Sequence, residues 1–178
     1  HNDARRQRQM CIRDRWSDIN SSLPEIDIDV LAPPPSSGTR DAFVELVLHD
    51  VCKSKYKMDK KTYKENCSAL REDGFVTEVG ENDNLIIEKL TDNSERFGIF
   101  GFSFLDQNRD RVQGSFVDGI EPSFDNIADG SYKVSRPLYF YVKKEHIGVV
   151  PGIEDYTDYF MSLSIEGGPL EDAGLIPN

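Results

Sequence analysis

Ile26, Ile28 and Val30 alternate with Asp27 and Asp29, the period-two pattern of a half-buried strand. Pro33-Pro34-Pro35 ends any ladder there, because proline has no N–H to donate. Beyond the prolines, Phe43, Leu46, Val47 and Val51 recur at helical spacing. Between strand and helix lie the small polar residues Ser36-Ser37-Gly38-Thr39 and then Arg40. The pattern therefore predicts a strand running into a small-residue turn that opens a helix.

Further along, Lys53–Lys61 is strongly basic, with Asp59 placed to cap a short helix to about Cys67. Phe75, Thr77 and Val79 predict a short strand, and Glu81 and Asp83 open a helix carrying Leu85, Ile86 and Leu90 on one side. The run Phe97–Phe102 predicts a strand buried on both faces, and Val112–Val117 another strand. Ser123 suits the N-cap of a short helix through Ala128, closed by Gly130. Leu138–Val142 reads as a clear strand. Ile153, Tyr156, Phe160 and Leu163 line one face of a final helix, with Pro151 in its first turn and the aromatics facing a core. Strands alternating with helices imply an α/β fold with helices on both faces of a sheet.

Composition narrows the class. With 38% hydrophobic and 30% charged residues the 178-residue chain is a globular protein able to bury a core. No apolar run approaches the roughly 20 residues that span a bilayer. Residues 1–15 stand apart as a foreign or disordered leader: five arginines against two aspartates give +3, without periodicity. The rest then carries −14 of a total of −11, which repels nucleic acid.

The turn is where chemistry concentrates. The N–H groups of Gly38, Thr39 and Arg40 have no partner inside the helix, and the helix adds about half a positive charge at that end. With the Ser36, Ser37 and Thr39 hydroxyls beside them, they make a seat for an oxyanion such as phosphate. A cation at Arg40 opposes the helix dipole unless an anion lies between, held by two parallel guanidinium hydrogen bonds. The simpler alternative is that Ser37 or Thr39 only caps the helix and Arg40 pairs with Asp41 in solvent. A serine nucleophile at Ser36 or Ser37 would need a base; His49 lies about 15 Å up the same helix, and His146, distant in sequence, follows two lysines and reads as surface. The turn has no Gly-Lys-Ser/Thr ending for a nucleotide, and His49, Cys52 and Cys67 have no zinc spacing. Catalytic residues, metals and cofactors are thus not expected.

From Trp16 onward the chain resembles the phosphate-binding subunit of bacterial phosphate ABC transporters, the PstS-type periplasmic binding proteins. The resemblance rests on WSDI at 16–19, SGTRDAF at 37–43, GENDNLI at 80–86, FGIFGFSF at 97–104, DGIEPSFDNIADGSY at 118–132 and SRPLYFYVKKEH at 135–146. It implies an α/β lobe of the type II periplasmic-binding-protein kind, with a mixed sheet, for residues 16–132. The stretch 133–178 would be the returning strand and helices of a first lobe whose opening part has no counterpart. The implied ligands are Ser37, Gly38 and Thr39. Many relatives carry their phosphate arginine where Pro33 stands here, so Arg40 takes that role by expectation. The resemblance further implies a periplasmic location, a membrane permease as partner, and no signal peptide within this chain. The alternatives are a phosphatase or phosphoryl-transfer enzyme using the same cradle, and a receptor for another tetrahedral anion.

An exported protein of this kind would join Cys52 to Cys67, 15 positions apart, in preference to keeping two buried thiols. Closing such a loop is worth about 3 kcal/mol in the chain-entropy description. Mass spectrometry of protein made under oxidising conditions should show a linked 52–67 peptide, and two free thiols there would refute the pairing.

Overall fold

A computed structural model describes residues 13–49, 52 and 67–177 of the chain. In order these form α1 (Trp16–Ile19), β1 (Val30–Ala32), α2 (Gly38–Phe43), β2 (Val76–Glu78), α3 (Asp83–Asp92), β3 (Phe97–Gly98), α4 (Phe102–Gln107), α5 (Phe124–Ala128), α6 (Ile153–Ser162) and α7 (Pro169–Asp172). α2 runs directly into a π-helical turn, Val44–Leu48, with helical backbone at the junction.

The three strands are parallel, in the order β2–β1–β3. Val30 sits opposite both Val76 and Phe97. A central parallel strand is covered on both faces, so its sequence is an unbroken apolar run, and Leu31 and Ala32 are almost fully buried. The alternating stretch before it meets the sheet only at its end, where the Phe97 amide donates to the Asp29 carbonyl at 2.9 Å. Asp27 instead bridges antiparallel to Arg15, whose side chain pairs with Glu25 and Asp27. The strand therefore starts at Val30, four residues later than the alternation at Ile26 predicts.

Leu31, Val79 and Ile86 form the core cluster, with Leu90 and Phe100 packed against it. α3 buries Ile86 and Ile87, while Leu85 is turned partly to solvent. Asn82 caps that helix by accepting from the Asn84 amide. Ser123 likewise caps α5, which ends at Ala128 as its sequence predicts.

Several predicted elements come out differently. Residues 13–15 are tied into the fold rather than belonging with the leader: Ile28 N donates to the Asp14 carbonyl at 2.7 Å, and Arg71 grips Asp14 and the Arg13 carbonyl. β3 covers only Phe97–Gly98, because Gly101 already caps α4. Phe97 is half-exposed and lies against the Trp16 ring. Val112–Val117 forms no strand, only a bridge between Val117 and Ile120. Leu138–Val142 pairs with no strand among the described residues, and Leu138 and Tyr141 are 73% and 86% exposed. Apolar, β-prone side chains record that a segment suits a ladder, and the ladder needs a neighbour.

α6 begins after Gly152, whose φ of 80° stops the preceding turn, so Pro151 lies outside the helix. No residue of α6 is buried; its aromatic stripe meets the unpaired segment instead, with Phe160 stacked on Phe140 at 4.9 Å. Cys52 and Cys67 are joined in a disulfide, Cα to Cα 6.4 Å. The helix expected from Asp59 lies outside the described residues, as do residues 1–12.

Gly98 marks the tightest approach of sheet to helix. A Cβ there would stand 2.8 Å from both Ile86 Cγ2 and Leu90 Cδ1, inside contact distance for carbon. Gly98→Ala should therefore cost about 1–3 kcal/mol in chemical denaturation by overpacking the core. Unchanged stability would mean that α3 is free to shift off the sheet.

Candidate functional site

Because the strands are parallel, their carboxyl ends open on one side, the usual place for a ligand crevice in α/β sheets. β1 delivers the chain there through the three prolines, and Ser37 N donates to the Pro34 carbonyl to close the turn. Ser37 is the N-cap of α2, in extended conformation, and its hydroxyl accepts the Thr39 amide at 3.2 Å. The first helical bond runs from Asp41 N to the Ser37 carbonyl. The amides of Gly38 and Arg40 make no hydrogen bond among the described residues. Gly38 is exposed and Ser37 and Thr39 are half-buried, so the mouth of the turn stands open.

Two of the five predicted residues are engaged elsewhere. Ser36 Oγ donates to Glu81 Oε1 at 2.7 Å, tying the turn to the loop after β2. That bond spends the Ser36 proton on a carboxylate instead of offering it to an anion. Arg40 is 7% exposed; its Nη1 donates to the Pro33 carbonyl at 3.1 Å and lies 3.5 Å from Glu78 Oε1. A guanidinium in the first helical turn opposes the dipole, and Glu78 supplies the compensating charge. Arg40 thus braces the turn through the carbonyl of Pro33.

The structure also brings in a residue that local sequence reading misses. Arg136 Nη2 donates to the Gly38 carbonyl at 3.0 Å, across 98 positions of chain. It lies in a stretch whose hydrophobic pattern signals only a strand, so no spacing rule links it to the turn.

Beside α2 is an open cavity of about 980 Å³, lined in part by Pro35 and Arg136 but by none of Ser36, Ser37, Gly38 and Thr39. Arg40, Glu45, His49, Ser68 and Glu78 are among the side chains lining it. His49 is buried and contacts Ser68 Oγ at 3.0 Å, so its imidazole is engaged away from Ser36 and Ser37. At the neighbouring strand end, Asp83 accepts the Gly101 amide at 3.2 Å. Burial pushes its carboxyl above the ordinary aspartate range, and that amide partly offsets the rise. No cluster of metal-ligating side chains occurs among the described residues.

Comparisons with known proteins place this geometry. The profile of the PBP superfamily domain matches residues 12–164, and the chain belongs to that superfamily. The phosphate-binding protein PstS of Staphylococcus haemolyticus is 31% identical over 166 residues, 90% of this chain and 45% of the relative. Its counterpart in Staphylococcus aureus is 28% identical over the same length. The chain thus spans a little under half of the curated relatives it matches. Among solved structures, a possible phosphate-binding protein from Planctomyces limnophilus superposes with a TM-score of 0.57 at 22% identity, covering 84% of this chain and 48% of that one. PstS from Borrelia burgdorferi gives 0.54 at 17% identity, covering 84% and 52%. These structural likenesses define the fold as an α/β lobe of the PBP kind.

The bracing role of Arg40 is directly testable. Arg40→Met should lower stability by about 1–3 kcal/mol with or without phosphate, since it leaves the buried Pro33 carbonyl without its donor. Lost phosphate binding with stability intact would return Arg40 to the anion's own shell.

Proposed function

We propose that this chain captures inorganic phosphate, as part of the extracytoplasmic receptor that delivers it to the membrane permease of an ABC transporter. The observation that carries the reading is the open Ser37-Gly38-Thr39 turn, with the Gly38 and Arg40 amides unpaired at its mouth. It lies in a superfamily member whose curated relatives carry the name phosphate-binding protein. Hydroxyls, amide N–H groups and a helix dipole suit a small oxyanion gripped without covalent chemistry. The reaction class is binding: His49, the histidine nearest the turn in sequence, contacts Ser68 instead of the turn's serines.

In this reading residues 16–132 form the second lobe of a two-lobed clamp, and 133–178 return to the first. The exposed Leu138–Val142 segment and the aromatic face of α6 support that division, since both present apolar surface that a first lobe would bury. No helix among the described residues is long and apolar enough to cross a membrane, which accords with a receptor acting outside the bilayer.

The test is an amide-resolved NMR titration of the chain with phosphate and with sulfate at constant ionic strength. Phosphate should move the Gly38, Thr39 and Arg40 amides at millimolar concentration, and Ser37→Ala should weaken the effect. Equal response to sulfate would make this a general oxyanion receptor. Micromolar affinity in the chain alone would contradict the half-clamp reading, and Ser37-dependent turnover of a chromogenic phosphate ester would replace receptor by enzyme.

A further inference from the structure

We propose that Asn20 is an acceptor site for an N-linked glycan, delivered on the extracytoplasmic side of a membrane by a transferase that uses a lipid-pyrophosphate-linked oligosaccharide. Asn20-Ser21-Ser22 is an Asn-x-Ser triplet without proline, the pattern such transferases read in surface loops of exported proteins. A triplet this short recurs by chance, so the proposal rests on the shape that the fold gives it.

The triplet forms the turn that follows α1. The Asn20 amide closes α1 on the Trp16 carbonyl at 3.1 Å, and the Leu23 amide closes the turn on the Asn20 carbonyl at 2.9 Å. Asn20 Oδ1 accepts both the Ser22 amide at 3.0 Å and the Ser22 hydroxyl at 2.9 Å. This is an Asx turn, in which an asparagine side chain closes on the backbone two residues ahead. All three residues are exposed, and Nδ2 makes no hydrogen bond among the described residues. The oxygen is held while the nitrogen is accessible.

That arrangement suits the chemistry. A carboxamide nitrogen is a poor nucleophile, because its lone pair is shared with the carbonyl. Two donors on Oδ1 favour the form in which negative charge gathers on that oxygen as Nδ2 gives up a proton. In the transfer, Nδ2 bonds to the anomeric carbon of the oligosaccharide, and the bond from that carbon to the pyrophosphate oxygen breaks. The lipid pyrophosphate leaves with the bonding electrons, the Nδ2 proton passes to a base of the transferase, and nothing is oxidised or reduced. Asp18, two positions before the asparagine, also meets the stricter pattern of transferases that read an acidic residue there. It is exposed, and only its Oδ2 is engaged among the described residues, by the Asp14 and Arg15 amides.

Place and compartment agree with the assignment. Asn20 is tied to Trp16, whose ring lies 5.2 Å from that of Phe97 at the start of β3. It therefore stands at the amino end of the sheet, opposite the carboxyl ends that lead to the Ser37 turn, and a glycan there leaves that turn open. The Cys52–Cys67 disulfide suits the oxidising compartment in which the transfer takes place. The other such triplet of the chain, Asn66-Cys67-Ser68, has its cysteine in that disulfide and its serine hydroxyl at His49.

The experiment sends the whole chain, behind a cleavable signal sequence, into a eukaryotic secretory lumen. Intact mass and glycopeptides are read before and after treatment with an N-glycan amidase. The wild-type chain should carry an oligosaccharide on Asn20, released by the amidase with an aspartate left in its place. Asn20→Gln and Ser22→Ala should lose it, and Ser22→Thr should keep it. Ser21→Pro separates recognition from folding. Proline suits the second place of a turn, and the Ser21 amide donates no hydrogen bond among the described residues, yet proline there breaks the acceptor pattern. Ser21→Pro should therefore keep the wild-type unfolding midpoint and lose the glycan. An unmodified wild-type chain, a glycan on Asn66 alone, or a glycan that persists in Asn20→Gln or Ser21→Pro overturns the proposal, whatever the Ser37 turn proves to bind.

Discussion

Burial of Leu31 and Ala32 between two parallel neighbours is the constraint on which the rest depends. A strand covered on both faces has no tolerance for slippage, because a one-residue shift would carry its apolar side chains out of register with Val79 and Ile86. Its end is fixed just as firmly, since Pro33 has no N–H with which to extend the ladder. The chain thus leaves the sheet at one defined point and meets its helix cap four residues later at Ser37. A turn delivered by the most buried strand inherits that strand's rigidity, the preorganisation that the proposed anion binding would use.

Charge around the turn is arranged locally, against the sign of the whole. The chain carries a net charge of −11, yet at physiological salt distant carboxylates are screened beyond roughly 8 Å. What matters is the immediate neighbourhood. There Glu81 is hydrogen-bonded to Ser36, and Glu78 lies beside Arg40. Glu81 and Glu78 thus each have a donor of their own.

The opposite end of the chain follows a different logic. Leu138, Tyr139 and Tyr141 are mostly exposed, and the stacked Phe140 and Phe160 rings cover only part of one another. Such a surface is costly in water, and the rest of a first lobe would remove it in the proposed division. Two residues before that segment, Arg136 donates to the Gly38 carbonyl. In a two-lobed receptor that adjacency would couple ligand capture to closure.

Elements whose signals are local were legible in the sequence: the small-residue turn and its Ser37 cap, the Ser123 cap of α5, and the apolar face of α3. Motif resemblance likewise carried the superfamily, since matched stretches run through nearly the whole chain after the leader. Periodicity failed where pairing decides. Ile26–Asp29 and Leu138–Val142 both look like strands, yet a strand exists only where a neighbour supplies the other half of the ladder. The turn's sequence determined which backbone amides open the helix without a partner among the described residues. Only the tertiary structure decided where the arginines go: Arg40 is held by Pro33 and Glu78, while Arg136 reaches the Gly38 carbonyl from 98 residues away. Side-chain direction follows from packing among distant elements, and a linear pattern does not encode it.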